Sequence, residues 1–218
     1  MLKTNRALWW VAMLCMAPLL VSAHPHSWID VRSYVDGKNQ QINGISMVWQ
    51  FDPMTSAYML DGEDLDGVNR QPTLTRMAQD LVNNISDFDY FTKVYWNQQP
   101  VELAGASMQR VTIEGLKVSF SFYLSFKKPI SMHAISMGQG TLDIRVFDPS
   151  YYIDMSWRDS NDLALAIELQ AACSQKIIEP SPSSEQMSYA LALPADASPD
   201  NALGKLFTQQ GVITCESL

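Results

Sequence analysis

A strict alternation of apolar and polar residues recurs along the chain and is its clearest pattern. At 118–126 apolar residues occupy every second position, and the same period of two recurs at 45–51, at 142–146 and, more weakly, at 29–35. Successive side chains of a β-strand point to opposite faces of its sheet, so this period predicts strands with one buried face. A further alternation predicts a strand at 163–169.

One segment follows the helical period instead. Its apolar residues lie three or four positions apart and form one stripe: Leu74, Met77, Ala78, Leu81, Val82 and Ile85. This spacing predicts an amphipathic helix over 73–86. Two shorter helices are predicted near the C-terminus, because Ser183 and Gln186 match a capping box and Asp200 suits an N-cap.

Short turns between the strands decide the fold class. Turn-forming residues at 36–39, 98–100 and 114–115 favour hairpin connections, which join antiparallel strands. The sequence therefore predicts an α+β fold, mainly an antiparallel β-sheet with one inserted amphipathic helix and short C-terminal helices. Residues 24–218 are predicted to form a single domain, and the pattern leaves open whether 174–218 is a disulfide-tethered appendage.

The first residues have the features of a secretory signal peptide. Lys3 and Arg6 precede an apolar run at 8–20, and the small residues Val21 and Ala23 occupy the −3 and −1 positions of a cleavage site. The run is shorter than a membrane-spanning helix, which needs about 20 residues, so an uncleaved anchor is the weaker alternative. We predict that residues 1–23 are cleaved off after Ala23, that the chain is periplasmic, and that the processed chain does not insert into a membrane.

The charge of the chain excludes some partners. Removal of residues 1–23 takes away two cationic residues and no acidic ones, which changes the formal net charge from −8 to −10. An acidic protein repels nucleic acid and anionic lipid headgroups, so we expect no nucleic-acid partner. The sequence also lacks G-x-S-x-G, H-E-x-x-H and a phosphate-binding glycine loop, and we expect no enzymatic activity.

Two cysteines remain after cleavage, Cys173 and Cys215. In an oxidising compartment the simplest expectation is one disulfide between them. Closing a loop of about 40 residues typically stabilises a fold by roughly 3–4 kcal/mol. A cysteine metal site is the weaker alternative, because the chain has no C-x-x-C spacing.

Cleavage after Ala23 would make His24 the first residue of the exported chain. Its α-amine and the imidazoles of His24 and His26 then lie within three residues. If the first strand begins there, alternation puts Asp30 on the same face, and we predict His24, His26 and Asp30 as metal ligands. Imidazole and carboxylate suit zinc, nickel or cobalt, with zinc first among them. The alternative is that these are ordinary polar residues on a frayed terminus.

Two further residues narrow the metal chemistry. Pro25 has no amide proton, so a square-planar copper or nickel site built from deprotonated backbone amides is blocked. A copper enzyme with an N-terminal histidine brace would need another histidine, and His133 is the remaining one in the sequence. A histidine-brace enzyme is therefore the least favoured alternative.

The acidic segment 61–67 has part of the pattern of a calcium-binding loop. If Gly67 takes position 6 of an EF-hand loop, positions 1 and 12 are Gly62 and Thr73, which lack the carboxylates that calcium needs there. We therefore predict weak or no calcium binding, and a solvated acidic turn is the simpler interpretation.

Several short motifs together resemble one protein family. They lie at 24–30 (HPHSWID), 49–52 (WQFD), 88–91 (FDYF) and 147–149 (FDP), and the two late cysteines accompany them. With these motifs the chain resembles an exported bacterial family of unknown function, often labelled the periplasmic component of an uncharacterised ABC-type transport system. The resemblance extends over essentially the whole processed chain, although many members carry a fuller Asp-rich loop where this chain has 62–73.

The resemblance implies a partner. Genes of the family often lie beside permeases of the nickel/cobalt type, which implies a role in moving divalent metal across the inner membrane. This leads to the hypothesis of a periplasmic metal-binding accessory protein for an inner-membrane metal permease. A metal-independent interaction module that docks on such a permease is the second hypothesis.

Overall fold

Two β-sheets form the body of the protein in a computed structural model, which describes residues 25–132, 139–193 and 203–216. The strands are β1 (Ser27–Lys38), β2 (Gln41–Phe51), β3 (Thr92–Trp96), β4 (Gln99–Pro100), β5 (Leu103–Glu114), β6 (Lys117–Ser131), β7 (Gln139–Val146), β8 (Ile153–Ser156), β9 (Leu163–Leu165), β10 (Cys173–Ile178) and β11 (Gln210–Glu216). The helices are α1 (Pro53–Leu60), α2 (Arg70–Ser86), α3 (Ile167–Gln170), α4 (Ser184–Ala192) and α5 (Leu203–Leu206).

The first sheet has the strand order β5-β6-β2-β1, and β8 and β9 pair one after the other with the remaining edge of β1. The pairs β1–β2, β2–β6 and β5–β6 are antiparallel, whereas β8 and β9 run parallel to β1. The second sheet, in the order β10-β11-β7-β3-β4, is antiparallel throughout. The prediction of a mixed fold with mainly antiparallel sheets is thus confirmed.

The core lies between the inner faces of the two sheets. In β6 the alternation seen in the sequence is also an alternation of burial, since its apolar residues are almost fully buried: Val118, Phe120, Phe122, Leu124 and Phe126. Trp49 of β2 and Leu142, Ile144 and Ile213 of the second sheet belong to the same cluster of buried side chains. Helix α2 covers this core beside β5 with one buried face, which carries Leu74, Met77, Ala78, Val82 and Ile85.

A disulfide joins Cys173 of β10 to Cys215 of β11, residues that are directly paired in the second sheet. Strand β11 lies in the interior of that sheet between β10 and β7, and Ile213 and Cys215 have no exposed surface. The residues 203–216 therefore contribute to the core itself. A disulfide-bonded domain of this kind is compatible with an exported protein.

The strand predicted over 163–169 is wrong beyond Leu165, where β9 ends and the short helix α3 begins at Ile167. The helical turn carries Leu169 back onto β1, where it lies over Gly37. A Cβ atom at Gly37 would come within 2.5 Å of Leu169 Cγ, so the missing side chain makes room for the turn. Gln170 closes the turn by donating a hydrogen bond to the carbonyl of Leu165.

Among the described residues, none of the helices has the length and apolar character that a membrane crossing requires.

Candidate functional site

The motifs singled out in the sequence meet at one end of the molecule, the end at which β1 begins. Residues 25–30 pair with the end of β2, as Ile29 lies opposite Phe51, and with the beginning of β8. The FDYF and FDP motifs join there, since the Phe147 amide donates to the Phe91 carbonyl at 2.9 Å. We call this region, residues 25–30, 49–55, 88–91 and 147–158, the histidine end.

His26 is held in place immediately before β1. Its backbone N–H donates to the carbonyl of Tyr152 at 2.9 Å, and its imidazole packs against the Tyr152 ring with the ring centres 4.7 Å apart. The residue as a whole is partly exposed, whereas the Nε2 atom of its imidazole is buried. The chain is therefore anchored by the time it reaches His26, which argues against a frayed segment at this residue.

Asp148 shapes the turn that brings Tyr152 to His26. Its buried carboxylate accepts hydrogen bonds from the backbone N–H of Ser150 and of Ile153, and from the Ser150 hydroxyl, all at 2.9–3.0 Å. An aspartate that closes a turn in this way fixes the backbone between its partners. The FDP motif thus has a structural role, which is to position the residues that hold His26.

Asp52 fastens the other side of the same segment. Its carboxylate caps helix α1 by accepting from the amides of Met54 and Thr55, and it also accepts from the Trp28 amide at 3.1 Å. Ser27 makes a 2.8 Å hydrogen bond to the Thr55 hydroxyl. Burial acts to raise the pKa of Asp52, but the hydrogen bonds from Thr55, Trp28 and Met54 outweigh it and hold the pKa below its usual value.

Asp30, the predicted third ligand, faces the same side as Trp28 and carries two ion pairs. Its carboxylate contacts Arg158 at 2.5 Å and Lys117 at 3.5 Å. A metal ion at Asp30 would have to compete with both cations. The assignment of Asp30 as a ligand stays a prediction.

Asp154 is the carboxylate nearest to Trp28 across the parallel pair β1–β8, where the two residues are directly opposite. Within the described parts of the chain its side chain accepts no hydrogen bond and forms no ion pair. Partial burial raises its pKa above the usual value for aspartate. Burial, and then the charge of Asp154, raise the pKa of the neighbouring Tyr151 to about 12.

An aromatic cluster lies beneath the histidine end. Trp49 contacts Phe122 and Phe120 edge-on and stacks with Phe91 at a ring-centre distance of 6.3 Å. The turn that delivers Phe91 has three consecutive residues with positive φ: Asp89 at 51°, Tyr90 at 56° and Phe91 at 48°. Such backbone costs roughly 1–2 kcal/mol per residue and is found preferentially at functional sites.

Two of the three histidines, His24 and His133, lie outside the described residues, as does the predicted cleavage site. Within 25–132, 139–193 and 203–216, no three His, Cys, Asp or Glu side chains are grouped closely enough to hold a metal ion. The described donors at the histidine end are an imidazole and carboxylates, a set that suits zinc. The sequence did not single out Asp154, because no local pattern shows that β8 lies beside Trp28.

The acidic segment 61–67 connects α1 to α2, preceded by one helix and followed by another as in a calcium-binding motif. Two of its four carboxylates, those of Glu63 and Asp64, have partners within the protein. Asp64 accepts from the Asp66 amide and the Asn69 side chain, and Glu63 pairs with Arg76. Thr73, which would occupy position 12 of the loop, donates its hydroxyl to the Asp64 carbonyl. The prediction of weak or no calcium binding is not altered by this arrangement.

The fold and the histidine end define a disulfide-bonded α+β domain whose short motifs gather around the start of its first strand. Residues 9–215 match the family described as "Protein of unknown function (DUF1007)", and the chain belongs to that family. It is also similar to an uncharacterized protein of Haemophilus influenzae, with 25% identity over 199 residues that cover 90% of this chain and 93% of that protein.

Proposed function

We propose that this protein is a periplasmic accessory protein that binds a divalent transition metal, with zinc first and nickel or cobalt next, for an inner-membrane metal permease. The observation that supports this most is the anchoring of His26. Tyr152 holds both its backbone and its ring, so an imidazole is presented at a fixed position two residues after the predicted new N-terminus. The proposed ligands are His24 and His26, assisted by the α-amine that cleavage would create.

Calorimetric titration of the processed protein with Zn²⁺, Ni²⁺ and Co²⁺ tests this function. We expect His24→Ala/His26→Ala to weaken binding by more than about 100-fold, since even outer-shell partners of a metal contribute 10–100-fold. His133→Ala is the matched control, because it also removes an imidazole but should leave the affinity unchanged. A double variant that binds as tightly as the parent would refute the assignment.

The pH dependence gives an independent test of imidazole ligation. A protonated imidazole cannot bind a metal, so the affinity should fall as the pH is lowered below about 6. Titrations at several pH values between 5 and 8 measure this. An affinity that stays constant over that range would contradict ligation by histidine.

A metal-independent docking role is the second candidate, and exposed apolar side chains at the histidine end favour it. Trp28 is 49% exposed and Met54 at the start of α1 is 76% exposed. Co-purification of the permease with the double-histidine variant, together with undiminished metal transport in cells, would support this role. If the permease co-purifies while transport is lost, the metal-binding role is favoured instead.

A further inference from the structure

Five aspartates lie at the histidine end, and their partners separate them into two groups. Asp89, in the FDYF turn, pairs with Lys93. Asp30 is neutralised by Arg158 and Lys117. Asp52 and Asp148 each accept several hydrogen bonds, including bonds from backbone amides. Within the described residues, Asp154 alone among these five accepts no hydrogen bond and forms no ion pair, and Tyr151 is the neighbour on which its charge acts.

The register of the β1–β8 pair places Asp154 on the side of the sheet that His26 shares. Asp154 is directly opposite Trp28, and His26 precedes Trp28 by two residues. With strands about 4.8 Å apart and about 3.3 Å per residue, the Cα atoms of His26 and Asp154 are about 8 Å apart. A zinc ion bound about 2 Å from an imidazole nitrogen and a carboxylate oxygen fits between two such side chains.

Asp30 is less well placed for the same ion. It lies four residues beyond His26 along a single extended strand, so the two Cα atoms are about 13 Å apart. The side chain of Trp28 lies between them on the same face, and the Asp30 carboxylate is directed to Arg158 and Lys117. Recruitment of Asp30 would break these ion pairs, whereas Asp154 has none to lose.

A partly buried carboxylate without a donor costs free energy, because it has given up water without gaining another partner. Such groups are found at catalytic sites and where an ion or a water molecule supplies the missing interaction. A carboxylate without a hydrogen bond or ion pair, beside an imidazole, gains the most favourable interaction energy from a divalent cation. The cost of leaving Asp154 without a partner is thus accounted for if the site is completed by a metal.

We propose that Asp154, rather than Asp30, is the carboxylate ligand beside His26 in the proposed metal site. This inference rests on the proposed function, because it assigns a further ligand to the same site. The resulting set of two imidazoles and one carboxylate is typical of zinc sites that keep a fourth position for water, an amine or a ligand passed on to a partner.

Zinc calorimetry of the processed protein with Asp154→Asn and with Asp30→Asn tests the inference. Both variants replace one carboxylate on the same face by a neutral amide of equal size. We expect Asp154→Asn to weaken zinc binding at least about tenfold, because even residues that only contact a metal ligand contribute about 10–100-fold to metal affinity. Asp30→Asn should change the affinity less than about twofold. Equal affinity of Asp154→Asn and the parent would overturn the inference, and so would a loss confined to Asp30→Asn.

Two further measurements show whether Asp154 is a metal ligand or a structural residue. They also distinguish failure of this inference from failure of the proposed function on which it rests. The visible spectrum of the Co²⁺-loaded protein should change in Asp154→Asn, while the metal-free variant should unfold at the same or a higher urea concentration than the parent. An unchanged cobalt spectrum would overturn the inference alone, because the histidine variants would still lose metal. Failure of the parent itself to bind zinc would overturn both proposals.

Discussion

At the scale of single residues, the carboxylates of the histidine end differ in the hydrogen bonds that they accept. Asp52 and Asp148 accept hydrogen bonds from the backbone and hold the segment around His26, while Asp154 accepts none within the described residues. The sequence gives no means of telling these aspartates apart, because each follows or interrupts an apolar run in the same way. Their roles depend on which amides, hydroxyls and cations the fold brings to them.

The depressed pKa of Asp52 predicts a specific loss of stability in acid. Because its folded-state pKa lies below the unfolded value of about 3.9, its contribution is present above that value and is lost as the pH falls through the folded pKa. Urea midpoints of the parent and Asp52→Asn should therefore differ at pH 5 and converge as the pH is lowered toward 2. A difference that persists unchanged at pH 2 would contradict this assignment.

Removal of the Asp148 carboxylate should loosen the turn that holds His26. Asp148→Ala leaves the amides of Ser150 and Ile153 without their acceptor, and we expect a loss of about 2–3 kcal/mol in the free energy of unfolding. Ser150→Ala, which removes the hydroxyl that donates to the same carboxylate and accepts from the Tyr152 amide, should cost less. Urea denaturation measures both, and equal effects would show that the backbone contacts are not the important ones.

At the scale of secondary-structure elements, the sequence predicts the strands that show alternation. It does not predict strand ends and pairings that depend on contacts between distant residues. The strand at 118–126 follows from its period of two, because one face of β6 is buried along its whole length. The end of β9 at Leu165 does not follow from the alternation, since it depends on Leu169 lying over Gly37 of a strand more than 100 residues earlier. The parallel pairing of β8 with β1, which brings Asp154 to Trp28, is equally invisible to a local pattern.

Loss of the disulfide should destabilise the second sheet. Cys173→Ala/Cys215→Ala is expected to lower the free energy of unfolding by about 2–5 kcal/mol, because the bond closes a loop between residues 42 positions apart. Thermal unfolding with and without reductant measures the effect. Reductant should destabilise the parent and leave the double variant unchanged; a parent insensitive to complete reduction would contradict the prediction.

At the scale of the whole molecule, the acidic two-sheet domain collects its motifs at one end. The WQFD, FDYF and FDP motifs are separated by dozens of residues in the sequence, yet they all contact the segment that begins β1 or its immediate neighbours. Asp52, Phe91 and Asp148 act from three different connections to stabilise this one region. A fold that concentrates anchoring contacts on its first strand is consistent with the proposed function, which depends on the predicted N-terminus at His24.

Zinc should stabilise the whole domain, and calcium should not. A ligand present at 100 times its Kd adds about 2.7 kcal/mol to the stability of the folded state, so zinc should raise the midpoint of thermal unfolding and a chelator should reverse the shift. Calcium at the same concentration is expected to leave the midpoint unchanged, since Gly62 and Thr73 replace two principal ligands of a calcium loop. A shift with calcium alone would contradict this prediction.

Native mass spectrometry of the exported protein tests the central claim most directly, because one spectrum reports both the N-terminal residue and any bound metal. The account predicts a mature chain that begins at His24 and carries one divalent metal ion after growth with ample zinc. A chain that starts at another residue, or one that begins at His24 and remains metal-free when zinc is in excess, would contradict it.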